Sequence, residues 1–211
     1  MSDHQTEEQQ VEAIKAFWSD NGNAIIAGLV LGFAGFIGYG YYKDNKLQQE
    51  VNTSEAYQNV VELSSGDEKA YLAAGEKFIN ENGESSYSAL TALALAKEAA
   101  SHKDWSQVAT YLTTAIEKAN NPGMKAIATT RLARVQIELA QYDNALTTLA
   151  STLPASFKAS VEEIKGDAYL KQEKVDLARN AYQAAIDASE QPSAALQMKL
   201  DDLAQHIVLT K

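Results

Sequence analysis

The chain has 211 residues, 18 Lys and Arg against 28 Asp and Glu, a formal charge of −10 and no cysteine. Without cysteine there are no disulfides, thiol nucleophiles, thiolate metal sites or lipid-bearing cysteine anchors. An acidic chain with no basic stripe also argues against nucleic acid and anionic lipid headgroups as partners.

Residues 1 to about 8 are polar, and disorder is expected there. Val11, Ile14, Phe17 and Trp18 follow at helical spacing, which predicts a short amphipathic helix near a membrane surface, ending in the turn chemistry of "SDNGN". The competing reading makes these residues the first turns of the next segment.

That segment, "NAIIAGLVLGFAGFIGYGYY" from Asn23 to Tyr42, is 20 residues long and carries no charge. As a helix it spans roughly 30 Å, the thickness of a bilayer's hydrocarbon core. Phe17 and Trp18 before it, and Tyr39, Tyr41 and Tyr42 at its end, are rings suited to the membrane interface. A cleavable signal would carry a basic leader and a small-x-small exit. Here Lys15 stands alone against Asp3, Glu7, Glu8, Glu12 and Asp20, and the exit is "YGYYKD". The expectation is an uncleaved transmembrane anchor. Within it Ala24, Gly28 and Gly32 repeat every four residues, followed by Gly35 and Gly38, a flat strip against which another membrane helix can pack.

After Tyr42 every segment reads as helix, and no convincing alternating strand occurs. "KLQQEVNTSEAYQNVVEL" continues the anchor as a connector and "SSGD" ends it. The organisation expected is therefore a short N-terminal segment with an amphipathic helix at 1–22, a transmembrane helix at 23–42, a helical connector at 43–66 and one all-α domain at 67–211. In that domain "NENGESS", "SHKD", "ANNPG", "STLPAS" and "SEQPS" punctuate the helices. Val108, Ala145 and Ala178 are 37 and 33 residues apart. Three positions before them stand Trp105, Tyr142 and Val175, and four after them Leu112, Leu149 and Tyr182. Seven after stand Ala115, Thr152 and Ala185, and twelve before stand Ala96, Ala133 and Gly166. A weaker unit places Tyr71, Ala74 and Phe78 at the same offsets.

This pattern resembles the tetratricopeptide repeat, in which paired helices stack into an α-solenoid. In such a packing a small residue on the first helix of a pair meets a small residue on the second, and the bulky residue fills the gap to the next pair. Pro154 comes early in its unit and predicts a shortened helix. "SAALQMKLDDLAQHIVL" reads as a C-terminal cap. The first helices of the pairs line a concave side, placing Leu93, Lys97, Ile127, Thr130, Arg134, Glu163, Asp167 and Leu170 along a candidate groove for an extended peptide or partner helix.

Catalytic and cofactor signals are missing. His4, His102 and His206 are far apart and read as surface residues with no acidic or histidine neighbour at metal-ligand spacing. There is no phosphate loop and no nucleophile elbow, and the pairs Glu162/Glu163 and Asp201/Asp202 read as solvated faces. No enzyme activity, cofactor or metal is expected.

"QVEAIKAFWSDNGNAI", the Gly-rich span, "SEAYQNVVE", "YSALTALALAK", "RLARVQIELAQYDNALTTL" and "IKGDAYL" together, in this order, resemble the YfgM-type ancillary subunits of the bacterial SecYEG translocon. The resemblance implies a cytoplasmic amino terminus, one inner-membrane helix and a periplasmic tetratricopeptide-like domain. It also implies association with the SecYEG translocon, with a membrane-anchored periplasmic peptidyl-prolyl isomerase-type chaperone and with exported client proteins. One feature points the other way. Lys15 before the anchor against Lys43 and Lys46 after it favours a cytoplasmic domain by the positive-inside rule, and with it an adaptor that recruits regulatory proteins.

Overall fold

The computed structural model describes the backbone of residues 7–83 and 85–209, with side chains over 9–83 and 85–203. His4, the start of the polar leader and the side chain of His206 lie outside the described residues. The described chain is helical throughout, with no strand. Its helices are α1 (Glu7–Leu63), α2 (Glu68–Glu81), α3 (Ser86–Ser101), α4 (Trp105–Lys118), α5 (Pro122–Glu138), α6 (Tyr142–Leu149), α7 (Lys158–Lys171), α8 (Val175–Asp187) and α9 (Ala194–Leu209). One 3₁₀ turn, Ala155–Phe157, precedes α7.

The chain divides into two compact units, residues 1–52 and 53–211, so the last turns of α1 belong to the second. In the first unit α1 runs unbroken through Ser19–Asn23, where a turn was expected. Asn21 donates its side-chain amide to the Phe17 carbonyl at 3.1 Å, and the Trp18 indole covers Gly22. Both turn formers are thereby held in helix, and the stripe from Val11 to Trp18 is the beginning of the long helix. Its most apolar stretch is long enough to cross a membrane and no part of it is buried within the chain. Leu31 and Phe36 are 73% and 77% exposed, which no core helix tolerates.

The second unit is an α-solenoid of helix pairs α3/α4, α5/α6 and α7/α8, preceded by the end of α1 with α2 and closed by α9. At the entrance Tyr57 of α1 stacks on Tyr87 of α3 at 4.9 Å and leans on Phe78 of α2. Val60 joins the same apolar cluster, which extends through Leu95, Val108 and Leu112 to Leu132 and Val135. Alanines at 0% exposure (Ala92, Ala115, Ala133, Ala145, Ala168, Ala178) sit where helices press closest, because a methyl group keeps the axes near. Asp67, Ser85, Asp104 and Asn121 cap the starts of α2 to α5 by accepting backbone N–H groups of the first turn.

The packing inside a pair differs from the expected meeting of small with small. A Cβ on Gly166 of α7 would overlap the ring of Tyr182 on α8, so in this pair the small residue receives the bulky one. Tyr182 is completely buried and donates its hydroxyl to Asp167 Oδ1 at 2.8 Å. Gly75 of α2 likewise leaves room for Leu95 of α3, 2.8 Å from where a Cβ would stand.

Each pair turns the same way. Lys103, Ala140 and Glu173 have φ of 59°, 56° and 61°, and each stands five residues before Val108, Ala145 or Ala178. The next N–H, of Asp104, Gln141 or Lys174, bonds back to the carbonyl of Ala99, Gln136 or Tyr169, which is the Schellman closure of a helix end. α6 is only eight residues long and stops ahead of Pro154, the shortened helix expected there.

Candidate functional site

In the second unit α3, α4 and α5 enclose a cleft of about 490 Å³. Its floor is apolar: Leu93 and Ala96 from α3, Val108 and Leu112 from α4, and Val135 from α5, with Trp105 at the side. Its rim is basic, carrying Lys97 from α3 and Arg131 and Arg134 from α5. The 3.6-residue period explains the arrangement. Arg131, Arg134 and Val135 fall on one face of α5, and Leu93, Ala96, Lys97 and Ala100 on the facing side of α3. A second hollow of about 280 Å³ lies beyond Arg134, lined by Ile137, Glu138, Asp167, Leu170 and Lys171. Arg134 belongs to both, and its guanidinium donates to Ser160 Oγ at 3.3 Å.

Five of the eight groove residues expected from the repeat thus line these two hollows: Leu93, Lys97, Arg134, Asp167 and Leu170. Ile127 is 38% exposed but lines neither. Thr130 is buried, and its hydroxyl donates to the carbonyls of Ala126 and Ile127, so this short side chain serves its own helix instead of the surface. Glu163 is taken up by α9. Lys199 donates to Glu163 Oε1 at 2.9 Å and to Asp167 Oδ1 at 2.7 Å, and its ammonium also lies 5.7 Å from the Tyr182 ring centre. Burial pulls the Lys199 pKa down, but the hydrogen bonds and charges of Asp167 and Glu163 outweigh it and hold the ammonium above its usual range. Burial, followed by the bond to Asp167, keeps the Tyr182 phenol neutral far above the ordinary tyrosine range. Tyr111, bonded to Glu76 at 2.7 Å, is raised by the same two causes.

Arg131, Trp105 and Val135 were not assigned to the groove from sequence, although Arg131 stands one helical turn before Arg134. That spacing is the signal that could have found it. Glu162 and Glu163 are also not solvated faces, since Glu162 pairs with Lys165 at 2.7 Å and Glu163 with Lys199.

His102 needs a further correction. Glu98 stands four residues before it on α3, and Glu68 reaches it from the first turn of α2. The His102 Nε2 atom is 3.1 Å from Glu68 Oε1 and 3.6 Å from Glu98 Oε1. Three ligand-type atoms therefore meet at an exposed corner, where they tie the start of α2 to the end of α3.

In the first unit, Gly28 and Gly32 leave a shallow apolar notch walled by Leu29, Phe33 and Phe36. Among the described residues, a Cβ at Gly28, Gly32, Gly35 or Gly38 would meet no atom within 4 Å, so none of them requires glycine there.

Residues 15–205 match the family described as tetratricopeptide repeat-like domain. A protein of Escherichia coli (strain K12) named ancillary SecYEG translocon subunit is 33% identical over 205 residues, 96% of this chain and 99% of that relative. Proteins of the same name from Haemophilus influenzae (strain ATCC 51907 / DSM 11121 / KW20 / Rd) and Neisseria gonorrhoeae (strain ATCC 700825 / FA 1090) are 30% and 29% identical over 93% and 96% of this chain and 97% and 100% of their own. Among solved structures, MamA 41-end from Desulfovibrio magneticus RS-1 is similar with a TM-score of 0.51 at 18% identity, over 74% of this chain and 92% of that one, a likeness of fold alone. With a matching domain over nearly its whole length and relatives similar from end to end, the chain belongs to the tetratricopeptide repeat-like family of ancillary SecYEG translocon subunits.

Proposed function

We propose that this protein is a non-enzymatic, membrane-tethered interaction module of the Sec translocon in the bacterial inner membrane. It spans the membrane once, with the amino terminus cytoplasmic and the solenoid on the periplasmic side, and assists newly exported chains together with a periplasmic peptidyl-prolyl isomerase-type chaperone. The observation that carries the reading is the unburied apolar stretch of α1, continuous with the first turns of a solenoid whose cleft between α3, α4 and α5 is lined by apolar and basic side chains. The names of the end-to-end relatives support the translocon as the place of work. Tethering holds weak binding sites at high effective concentration beside emerging chains, so modest affinities suffice. In the membrane, the strip of Ala24, Gly28, Gly32 and Gly35 is the face proposed to pack against a partner helix, because its open notch has no occupant among the described residues.

The second reading, a cytoplasmic-facing adaptor that recruits regulatory proteins, has one observation in its favour: Lys43 and Lys46 follow the apolar stretch and Lys15 alone precedes it. Because the chain has no cysteine, one experiment separates the two. Ser106→Cys in the full chain is treated with a membrane-impermeant maleimide in intact spheroplasts, while a photo-crosslinker at Gly32 reports neighbours in the membrane. Labelling at 106 with translocon adducts at 32 is the expected result. Labelling only after permeabilisation, with cytosolic adducts, hands the protein to the adaptor reading.

A further inference from the structure

We propose that the cleft between α3, α4 and α5 binds an extended acidic segment of polypeptide, one that places a large apolar side chain on the floor and carboxylates on the rim. The inference rests on the reading of the solenoid as an interaction module and specifies what it grips.

The argument is one of charge placement. The chain carries ten more acidic than basic side chains, yet Lys97, Arg131 and Arg134 converge on the rim of the cleft between α3, α4 and α5. Among the described residues, four other cations of the solenoid have carboxylates, Lys77 with Glu81, Lys165 with Glu162, Arg179 with Asp176 and Lys199 with Glu163 and Asp167, while Lys69, Lys103, Lys118, Lys125, Lys158, Lys171 and Lys174 are in no ion pair. What sets the rim cations apart is that three of them line one apolar cleft. None of the three rim cations belongs to any of the ion pairs found there. Three like charges facing one another over an apolar floor repel, and a carboxylate between them relieves that repulsion. The two guanidiniums present forked donors suited to carboxylates, and the Leu93–Val108–Leu112 floor takes an apolar side chain out of water. Beyond Arg134 the second hollow mixes Glu138 and Asp167 with Lys171, whereas the cleft toward α3 carries basic side chains without acidic ones, so the ligand's carboxylates lie toward α3.

A second copy of this chain is a poorer occupant, because its surface carries the same net negative charge and repels as a whole. A nucleic acid is poorer still, since three cations in an acidic chain cannot follow a phosphate backbone.

The test uses the full chain in detergent micelles and three fluorescein-labelled twelve-residue peptides, with Leu and Phe at fixed positions separated by Glu, by Gln or by Lys. The Glu peptide is expected to bind best, with affinity falling as salt rises. Arg131→Glu and Arg134→Glu are expected to weaken it about 3- to 10-fold each. The double variant is expected to prefer the Lys peptide, a gain that a misfolded protein could not give. Lys125→Glu, the same charge change at an exposed position near the start of α5 that lines neither hollow, serves as the control. Equal binding of all three peptides, or Glu-peptide binding unmoved by the double variant, overturns the proposal, as does concentration-dependent self-association abolished by that variant. In spheroplasts expressing the double variant, translocon adducts retained at Gly32 leave the module reading standing when the peptide result is negative. Loss of adducts from the unaltered chain counts against that reading by itself.

Discussion

The glycines of the first unit and those of the solenoid are the same residue put to opposite uses. Gly166 and Gly75 are spaces already filled, by Tyr182 and Leu95 of the same chain, whereas Gly28 and Gly32 are spaces that no described residue enters. A filled glycine is explained by its own fold. An unfilled run of them on a lipid-length helix points outward, and the difference is visible only when side chains are placed, since both kinds look alike as letters in a sequence.

The most severe way to break this contrast is Gly166→Ala. A methyl group gains about 1 kcal/mol of helix propensity, but it collides with a fully buried ring whose hydroxyl is held by Asp167, so that ring cannot step aside. A net loss of about 2–3 kcal/mol in denaturant unfolding is expected. Gly166→Ala with Tyr182→Leu should recover part of it, and equal losses in the single and double variants would show that the ring is not the obstacle.

The same Tyr182 and Lys199 give the fold an alkaline limit. Both pKa values are raised in the folded chain, so the folded state holds protons that the unfolded state releases above the ordinary tyrosine and lysine values of about 10. Their contribution is complete below that pH and is lost as pH rises through the folded values. Melting temperature should therefore decline above about pH 10, less steeply in Lys199→Met than in the parent chain. An identical slope in both would remove Lys199 from the account.

Gly75→Ala sharpens the contrast. Its clash is with the branched end of Leu95, which can pivot more readily than a pinned ring, so about 1 kcal/mol of destabilisation is expected. The smallest effect on folding belongs to Gly28→Leu with Gly32→Leu. Unfolding of the solenoid should stay within about 0.5 kcal/mol of the parent, while copurification of membrane partners falls. Unchanged copurification would mean the open notch is only open.

Much of this architecture is legible in the amino-acid order, for reasons that can be named. Small and bulky residues recurring around Val108, Ala145 and Ala178 mark three helix pairs, because helix packing depends on side-chain size at fixed intervals. Charge-free length marks the membrane helix. The run "SDNGN" misleads because turn propensity is a local preference, and here the Trp18 ring and the Asn21 amide hold the helix against it. Thr130 misleads in another way. Its position repeats that of Leu93 and Glu163, but a side chain able to bond its own backbone need not reach the face its register assigns. Glu163 and Asp167 are on the expected face but engaged, since no periodicity announces that Lys199, more than thirty residues later, returns to them. His102 and Glu98 were within reach, being four residues apart on one helix. Glu68 was not, because it arrives from another helix.

The three left-handed turns have a consequence for how this chain can vary in length. Within every pair the connection is three residues, 102–104, 139–141 and 172–174, closed by the same pair of backbone bonds. Between pairs it is three, eight and six residues, at 119–121, 150–157 and 188–193. A corner built from fixed hydrogen bonds admits no extra residue, whereas a connection between finished pairs has only to reach. Additional loops, labels or grafted peptides therefore belong after α4, α6 or α8, where each completed pair keeps its own alignment and passes no error to the next.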